Sequence, residues 1–357
     1  MCMKFTAKRV ALKEAVDWVS RSGKAPNTLV RVSTHGDRVT LEGSDAEYWL
    51  KTDVRVEDVL EEGEVYTPIA QLNSMLSGLG ESIVELSNED SRTIVGTCGR
   101  ATFSLGLALT PDHWRTTPEL EPVATVNREQ AIWALKGAAS TMASASDRGK
   151  EQLMGVRIIV EGGEISFTAT NGYRVLLATI QAEAQENFSI FIRPASLIDA
   201  LLVLDGPNAT FVRSPEGLFG VADGVTSSLA LPIAKTPPSW EKLVIEGRKL
   251  AGGMTVDGDD LQSGINLAQL TKEAHFRVAP TDDEAFISSE PIEGFVAAFE
   301  TIKPILNAAR TDTVTFRRGT VGARNGAPAP VYVFEDDTAA PGTKLEAVFM
   351  PIVNRAA

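Results

Sequence analysis

The chain of 357 residues contains three histidines and two cysteines, and their spacing decides what chemistry is open to it. His35, His113 and His275 stand far apart, without the Cys/His pairs or His-x-x-x-His spacing that gathers ligands onto one metal ion. Asp257-Gly258-Asp259-Asp260 begins like a calcium loop but lacks the remaining ligands. No phosphate-cradling loop ending in Gly-Lys-Ser/Thr occurs, and no Gly-x-Ser-x-Gly nucleophile turn. Cys98 reads as a small core or edge residue rather than a nucleophile. The expectation is therefore no catalysis, no metal and no cofactor. What remains are residue types that hold partners: basic side chains at helical spacing and apolar residues in strands.

Composition sets the frame for those partners. Apolar residues make up 43% and charged residues 23%, ordinary for a globular chain with room for two or three domains. The formal charge is −13, so any use of nucleic acid must come from a local basic surface. Two cysteines exclude a disulfide framework and fit a reducing compartment. MCMKFTAKR has no apolar segment behind its basic residues, and no apolar run approaches the roughly 18 residues of a membrane span. A cytoplasmic protein without a membrane partner is expected.

The elements that must position these residues come twice. Val30–Thr52 (VRVSTHGDRVTLEGSDAEYWLKT) aligns without a gap on the stretch beginning at Val156 (VRIIVEGGEISFTATNGYRVLLAT). Gly36 lies under Gly162, and Pro68 lies under Pro194 at the same offset of 126 residues. A period this long is a copied domain rather than a solenoid repeat. In the first copy, Thr6 is expected to cap a helix over 7–22, with Leu12, Ala15, Val16 and Val19 inward and Arg9, Lys13, Asp17 and Arg21 as a polar stripe. Strands follow around His35-Gly36-Asp37 and over 48–54, then a helix over 69–79 opened by Pro68, then strands over 82–87, 93–97 and 101–107. In the second copy, Asn127 caps a helix with Ile132, Leu135, Ala139 and Met142 inward, Asn171-Gly172 makes a two-residue turn, and Pro194 opens a helix over 195–204. The last part repeats the unit less clearly. Its helices are expected over 259–274 and 299–309 and its closing strands over 314–317, 331–334 and 345–351, with about one hairpin missing between the helices. The fold class is α+β: three tandem copies of a helix–strands–helix–strands unit, divided as 1–121, 122–246 and a shortened 247–357. Units of this kind pack edge to edge, and joining the two ends of such a row removes its exposed strand edges.

The segments MKFTAKRVALKEAVDWVSR, FTATNGYRVLLAT, PPSWEKLV and VFMPIV resemble the bacterial-type DNA polymerase sliding clamp, the beta subunit, in order and spacing over nearly the whole chain. The likeness is weakest over 247–290, and the divergence suits a phage-encoded or specialised member. The resemblance implies a head-to-tail homodimer ring with helices lining the hole and sheets outside. Such a processivity factor encircles double-stranded DNA without reading its sequence, tethers the replicative DNA polymerase, and is opened and closed by a clamp loader. The alternative is a clamp-like protein that binds partner peptides without closing on DNA.

The resemblance also implies three sets of site residues. A partner-peptide cleft would be walled by Leu153, Thr170, Gly172, Tyr173, Arg174 and Val175, with Pro238, Lys242 and Leu243 on one side and Met350, Pro351 and Ile352 from the last strand. An apolar groove of this type anchors one or two apolar side chains while a few polar groups fix orientation. Read without the family, these residues make an ordinary hairpin and a buried final strand. Two departures from the family pattern are Asn171, where Asp is usual, and Val353, where Arg commonly follows, which removes a charge from the rim. DNA-facing cations would be Arg9, Lys13, Arg21, Lys24, Lys136, Arg148, Lys150, Lys303 and Arg310, making salt-sensitive contacts to phosphates without base readout. Solvated helix faces are the bland reading of the same residues. The dimer interface would use the edge strand of Phe103, Leu105 and Leu107, facing Leu267 and Leu270.

Overall fold

The computed structural model describes residues 2–22, 28–44, 48–80, 83–88, 92–108, 114, 118–147, 149–234, 244, 248–249, 254–257, 263, 275–280, 285–287, 295–309, 313–318, 331–335 and 342–349. In chain order the first elements are β1 (Met3–Lys8), α1 (Arg9–Val19), β2 (Leu29–His35), β3 (Arg38–Ser44), β4 (Tyr48–Arg55), β5 (Asp58–Glu61), β6 (Glu64–Pro68), α2 (Ile69–Gly78), β7 (Ile83–Asn88), β8 (Thr93–Cys98) and β9 (Ala101–Gly106). There follow β10 (Glu121–Asn127), α3 (Arg128–Thr141), β11 (Val156–Glu161), β12 (Glu164–Thr170), β13 (Arg174–Ala184), β14 (Phe188–Ile192), α4 (Ala195–Val203), β15 (Asn208–Arg213), β16 (Phe219–Ala222) and β17 (Thr226–Ala230). The last are β18 (Met254–Asp257), β19 (His275–Pro280), β20 (Ala285–Ile287), β21 (Phe295–Ala298), α5 (Phe299–Ala308), β22 (Thr313–Arg318), β23 (Val331–Glu335) and β24 (Thr343–Phe349). Mixed helix and antiparallel sheet, mostly strand, is the α+β class read from the sequence. The chain groups into two compact units, Met1–Pro122 with Asp199–Leu231, and Val123–Ile198 with Pro232–Ala357.

In the first unit one sheet has the order β5-β1-β7-β8-β9, and a second runs β15-β16-β17-β4-β3-β2-β6. Helix α1 buries Leu12, Ala15, Val16 and Val19, the apolar face read from the sequence, and adds Trp18, whose Nε1 donates to the Lys51 carbonyl at 3.3 Å. Gly43 makes this packing close. A Cβ there would stand 2.4 Å from Ser22 Oγ and 2.7 Å from the Val19 carbonyl oxygen, so the end of α1 rests directly on β3. Strands β4 and β17 pair from Thr226↔Thr52 to Ala230↔Tyr48, and Trp49, Val212, Leu218, Ala222 and Leu229 form the core beside that seam.

In the second unit β14-β11-β12-β13 meets β24-β23-β22-β18 through the β13–β24 pairing, and β20-β19-β21 form a separate small sheet. Helix α3 lies on β12 and β13 and also against α5, where Trp133 Nε1 donates to the Ala308 carbonyl at 2.7 Å. The duplication read from the sequence holds down to strand register. His35↔Arg38 in β2–β3 becomes Glu161↔Glu164 in β11–β12, and Arg38↔Arg55 becomes Glu164↔Gln181. Gly36 and Gly162 take the left-handed φ of 60° and 62° that both two-residue turns demand. The copies part at the next strand, where Val30 faces Thr67 but Val156 faces Ile192, one residue short of the 126-residue offset.

Several local expectations change. Thr6 lies inside β1 and caps nothing; α1 starts at Arg9 after Lys8, which makes no side-chain cap. The signal for β1 was present, since Met3, Phe5 and Ala7 alternate and are all fully buried. Asn127 does cap α3, accepting from the Gln130 amide at 3.1 Å, but the buried positions are Ala131, Trp133, Ala134, Leu135, Gly137, Ala138 and Thr141. Ile132, Ala139 and Met142 are half-buried, because α3 is covered on two sides and small residues serve the close approaches. The turn at Asn171-Gly172 is wider than two residues, with pairing closing at Thr170↔Val175. The expected helix over 259–274 lies outside the described residues apart from Ser263.

Candidate partner-binding cleft and charged helix faces

Val175 and Leu177 alternate onto one face of β13, and Val348 of β24 stands opposite Val175 in the pairing. With Leu153, Ala143 and Val244 they make one apolar cluster, and Met154 packs against it. Leu153 is brought there by a short 3-10 turn, Glu151–Leu153, whose amide donates to the Lys150 carbonyl at 2.8 Å. The rim is built from the turn after β12. Thr170 Oγ1 donates to the Arg174 carbonyl at 2.6 Å and accepts from the Gly172 amide at 3.0 Å. Asn171 Oδ1 accepts from the amides of Tyr173 and Arg174 at 3.0 and 3.2 Å. Gly172 has φ +93°, which an L side chain rarely adopts, and Leu153 Cδ1 lies against the same spot.

This turn presents Tyr173, which is 62% exposed. Lys150 Nζ sits 4.7 Å from its ring centre and donates to the Asn171 carbonyl at 3.1 Å, so an ammonium and an aromatic face stand together beside the apolar cluster. Arg174 points elsewhere: its Nη2 donates to the Ser140 carbonyl at the end of α3, 3.1 Å away. The loop before Leu153 is held by Asp147, whose carboxylate accepts from the backbone and hydroxyl of Ser144. Those two bonds, with Lys150 and Arg174 nearby, hold the Asp147 carboxyl below its ordinary pKa. Leu153, Thr170, Gly172, Tyr173 and Val175 are thus gathered in one place, with Lys150 beside them, while Pro238, Lys242, Leu243, Met350, Pro351 and Ile352 lie outside the described residues. Ala143, Leu177, Val244 and Val348 were not singled out in the sequence; the period-2 pattern of β13 pointed to Leu177.

The cations of α1 and of the short 3-10 turn that follows it, Ser20–Ser22, are drawn into contacts of their own unit. Arg9 Nη1 donates to the Leu76 carbonyl of α2 at 3.1 Å. Lys13 is bonded to Asp17, whose other oxygen accepts from Asn73 Nδ2 at 2.7 Å. Arg21 lies 3.7 Å from the Asp199 carboxylate and over the Trp18 ring. On α3, Lys136 is exposed and makes no ion pair among the described residues. Lys303 is half-buried on α5, and Lys24, Arg148 and Arg310 lie outside the described residues.

Strand β9 pairs with β8 alone among the described strands. Phe103 is half-buried over its cross-strand partner Gly96, where a Cβ would meet the ring at 1.8 Å. Leu105 is buried and Leu107 half-buried, its amide donating to the Arg92 carbonyl. Leu267 and Leu270 lie outside the described residues. Cys98 is buried at the end of β8, and no group of three or more potential metal ligands exists among the described residues.

Comparisons with known proteins place this geometry. Residues 3–114 match the family described as DNA polymerase III beta subunit, N-terminal domain. The beta sliding clamp of Micrococcus luteus is 31% identical over 207 residues, which cover 55% of this chain and 65% of that one. The match therefore spans just under two thirds of that relative's length. In three dimensions the chain aligns with the Caulobacter crescentus beta sliding clamp at a TM-score of 0.80 and 20% identity, covering 99% of this chain and 100% of that one. The Helicobacter pylori beta clamp bound to a DNA ligase peptide aligns at 0.78 and 16% identity, covering 98% and 100%. The chain has the beta-clamp fold.

Proposed function

We propose that this chain, a relative of the bacterial beta sliding clamps in sequence and in fold, works as a sliding clamp. In this reading it encircles duplex DNA as a head-to-tail homodimer, tethers a replicative polymerase and other motif-bearing partners, and is loaded by a clamp loader in the cytoplasm. It divides into domains 1–121, 122–246 and 247–357 and carries out no reaction of its own.

The observation that carries the proposal is a seam made twice. Strand β17 pairs with β4, and β24 pairs with β13, each joining the last strand of one copy to the third hairpin strand of the preceding copy. The strand at the corresponding place in the first copy is β9, which pairs with β8 alone among the described strands. A chain that repeats one head-to-tail joint and leaves the same edge open closes by adding a second chain at that edge. Phe103, Leu105 and Leu107 would sit at this joint. The cleft of Leu153, Thr170, Gly172, Tyr173 and Val175 would take a partner's apolar motif, with Arg174 bracing its turn.

A second reading, a clamp-like protein that binds peptides without closing on DNA, is favoured by the internal pairing of Arg9, Lys13 and Arg21. One experiment separates the two. Loaded protein should stay on nicked circular DNA and run off when the circle is cut. Equal loss from both forms would leave the peptide-binding reading and remove the clamp.

A further inference from the structure

The floor of the cleft contains a buried charge that its apolar chemistry does not need. Glu346 lies in β24 between Leu345 and Ala347, both buried, and its own side chain is 11% exposed. A carboxylate in such a place is costly unless paired and hydrogen-bonded. Its partner is Arg248, 98 residues away in sequence, whose Nε donates to Glu346 Oε1 at 2.6 Å while Nη2 donates to Oε2. This two-point geometry matches the planar guanidinium to the carboxylate and resists rotation.

The pair is placed beside the cleft by spacing on both of its elements. Val348 stands two residues from Glu346 on β24 and so shares its face. Val244 stands four residues before Arg248, and both have helical backbone. Val244 is 1% exposed in the cluster with Leu153, Val175, Leu177 and Val348, and Arg248 is bonded to Glu346 one step along. A hydrophobic contact and an ion pair thus fasten the same segment to the same strand at two points.

We propose that the Arg248–Glu346 ion pair is a positioning latch for the partner cleft: it holds Val244 on the apolar floor, so the floor is assembled before a partner peptide arrives. The inference rests on the cleft reading given above. Without the latch, the apolar floor of Leu153, Val175, Leu177 and Val348 loses one wall and is complete in only part of the population. Apparent affinity falls in proportion to the competent fraction. In this proposal the latch acts on affinity by preorganising the apolar floor.

The test measures binding of a fluorescein-labelled DNA ligase peptide, the ligand class seen on the Helicobacter pylori clamp, by anisotropy well below the unfolding transition. The unaltered chain is compared with Arg248→Ala, Glu346→Gln and the double variant. Each single change should weaken binding about tenfold, the loss expected if the competent fraction drops to about one tenth. The double variant should be no weaker than either single one, because all three remove the same contact. Arg248→Lys should restore part of the affinity, which a purely structural contribution to melting temperature would not require. If Arg248→Ala fails to fold, Glu346→Gln and Arg248→Lys carry the same comparison at nearly unchanged volume. Unchanged peptide affinity in folded variants overturns the latch and leaves the cleft standing. Absence of binding by the unaltered chain overturns the cleft and the latch together.

Discussion

The ring of Phe103 fills the space above Gly96, and this one contact ties the inside of the β8–β9 pair to β9, the outer strand of that sheet among the described strands. A methyl at position 96 must push the half-buried ring toward solvent, so Gly96→Ala should change stability by no more than about 1 kcal/mol in thermal unfolding while moving Phe103 off β8. Phe103→Asp keeps the space but places a charge at the proposed joint, and sedimentation should show a shift from dimer toward monomer. A third residue makes a prediction about pH. The carboxyl of Asp147 is held low by the Ser144 bonds, so it favours the ordered loop above the pKa of a free Asp and loses that effect as pH falls through its own lower value. The Ser144 amide signal should therefore titrate with a midpoint below about 3.9, the free value. These residues were legible to different degrees. Phe103 was named as an edge aromatic from the sequence, but its contact with Gly96 depends on strand register. The turn of Asn171-Gly172 was legible as a turn, and its true width was not, because the Asn171 side chain bonds two amides that a two-residue turn would leave elsewhere.

Among the elements, α3 shows best where periodicity succeeds and where it stops. Asn127 marks its start by a local rule, a side-chain oxygen that accepts from an amide three residues on, and the structure keeps that bond. The inner face was read as Ile132, Leu135, Ala139 and Met142, whereas the helix buries Trp133 and Leu135 together with the small residues Ala131, Ala134, Gly137 and Ala138. The reason is a second neighbour. Gly137 faces Ala308 of α5 so closely that a Cβ would stand 3.2 Å from the alanine methyl. Gly137→Leu should accordingly cost about 1–3 kcal/mol by overpacking, and a lowered unfolding midpoint would check it. The α1 helix behaves in the opposite way. The four residues read as inward are all buried, because the helix is covered on one face, and only Trp18 was missed.

At the scale of the molecule, the proposed encircling of DNA makes a prediction about charge. With Arg9, Lys13 and Arg21 occupied inside their own unit and a net charge of −13, contact with phosphates should be sparse. Each phosphate contact contributes a slope of about −0.9 in log affinity against log salt. Lys136→Ala should reduce that slope by close to one such contact, and Lys13→Ala by much less; anisotropy titrations with duplex DNA at several salt concentrations would show the difference. What the sequence determined alone was the part that travels with near neighbours: the 126-residue copy, the hairpin at Gly36 with Gly162 at the matching place, and the helix starts at Asn127, Pro68 and Pro194. Those features depend on side-chain alternation, turn glycines and caps within a few residues of one another. The tertiary structure decided which distant strands meet, β17 with β4 and β24 with β13, which side of α3 meets α5, and which cation answers Glu346. Such partners are chosen by packing and charge between segments far apart along the chain, and no local period records that choice.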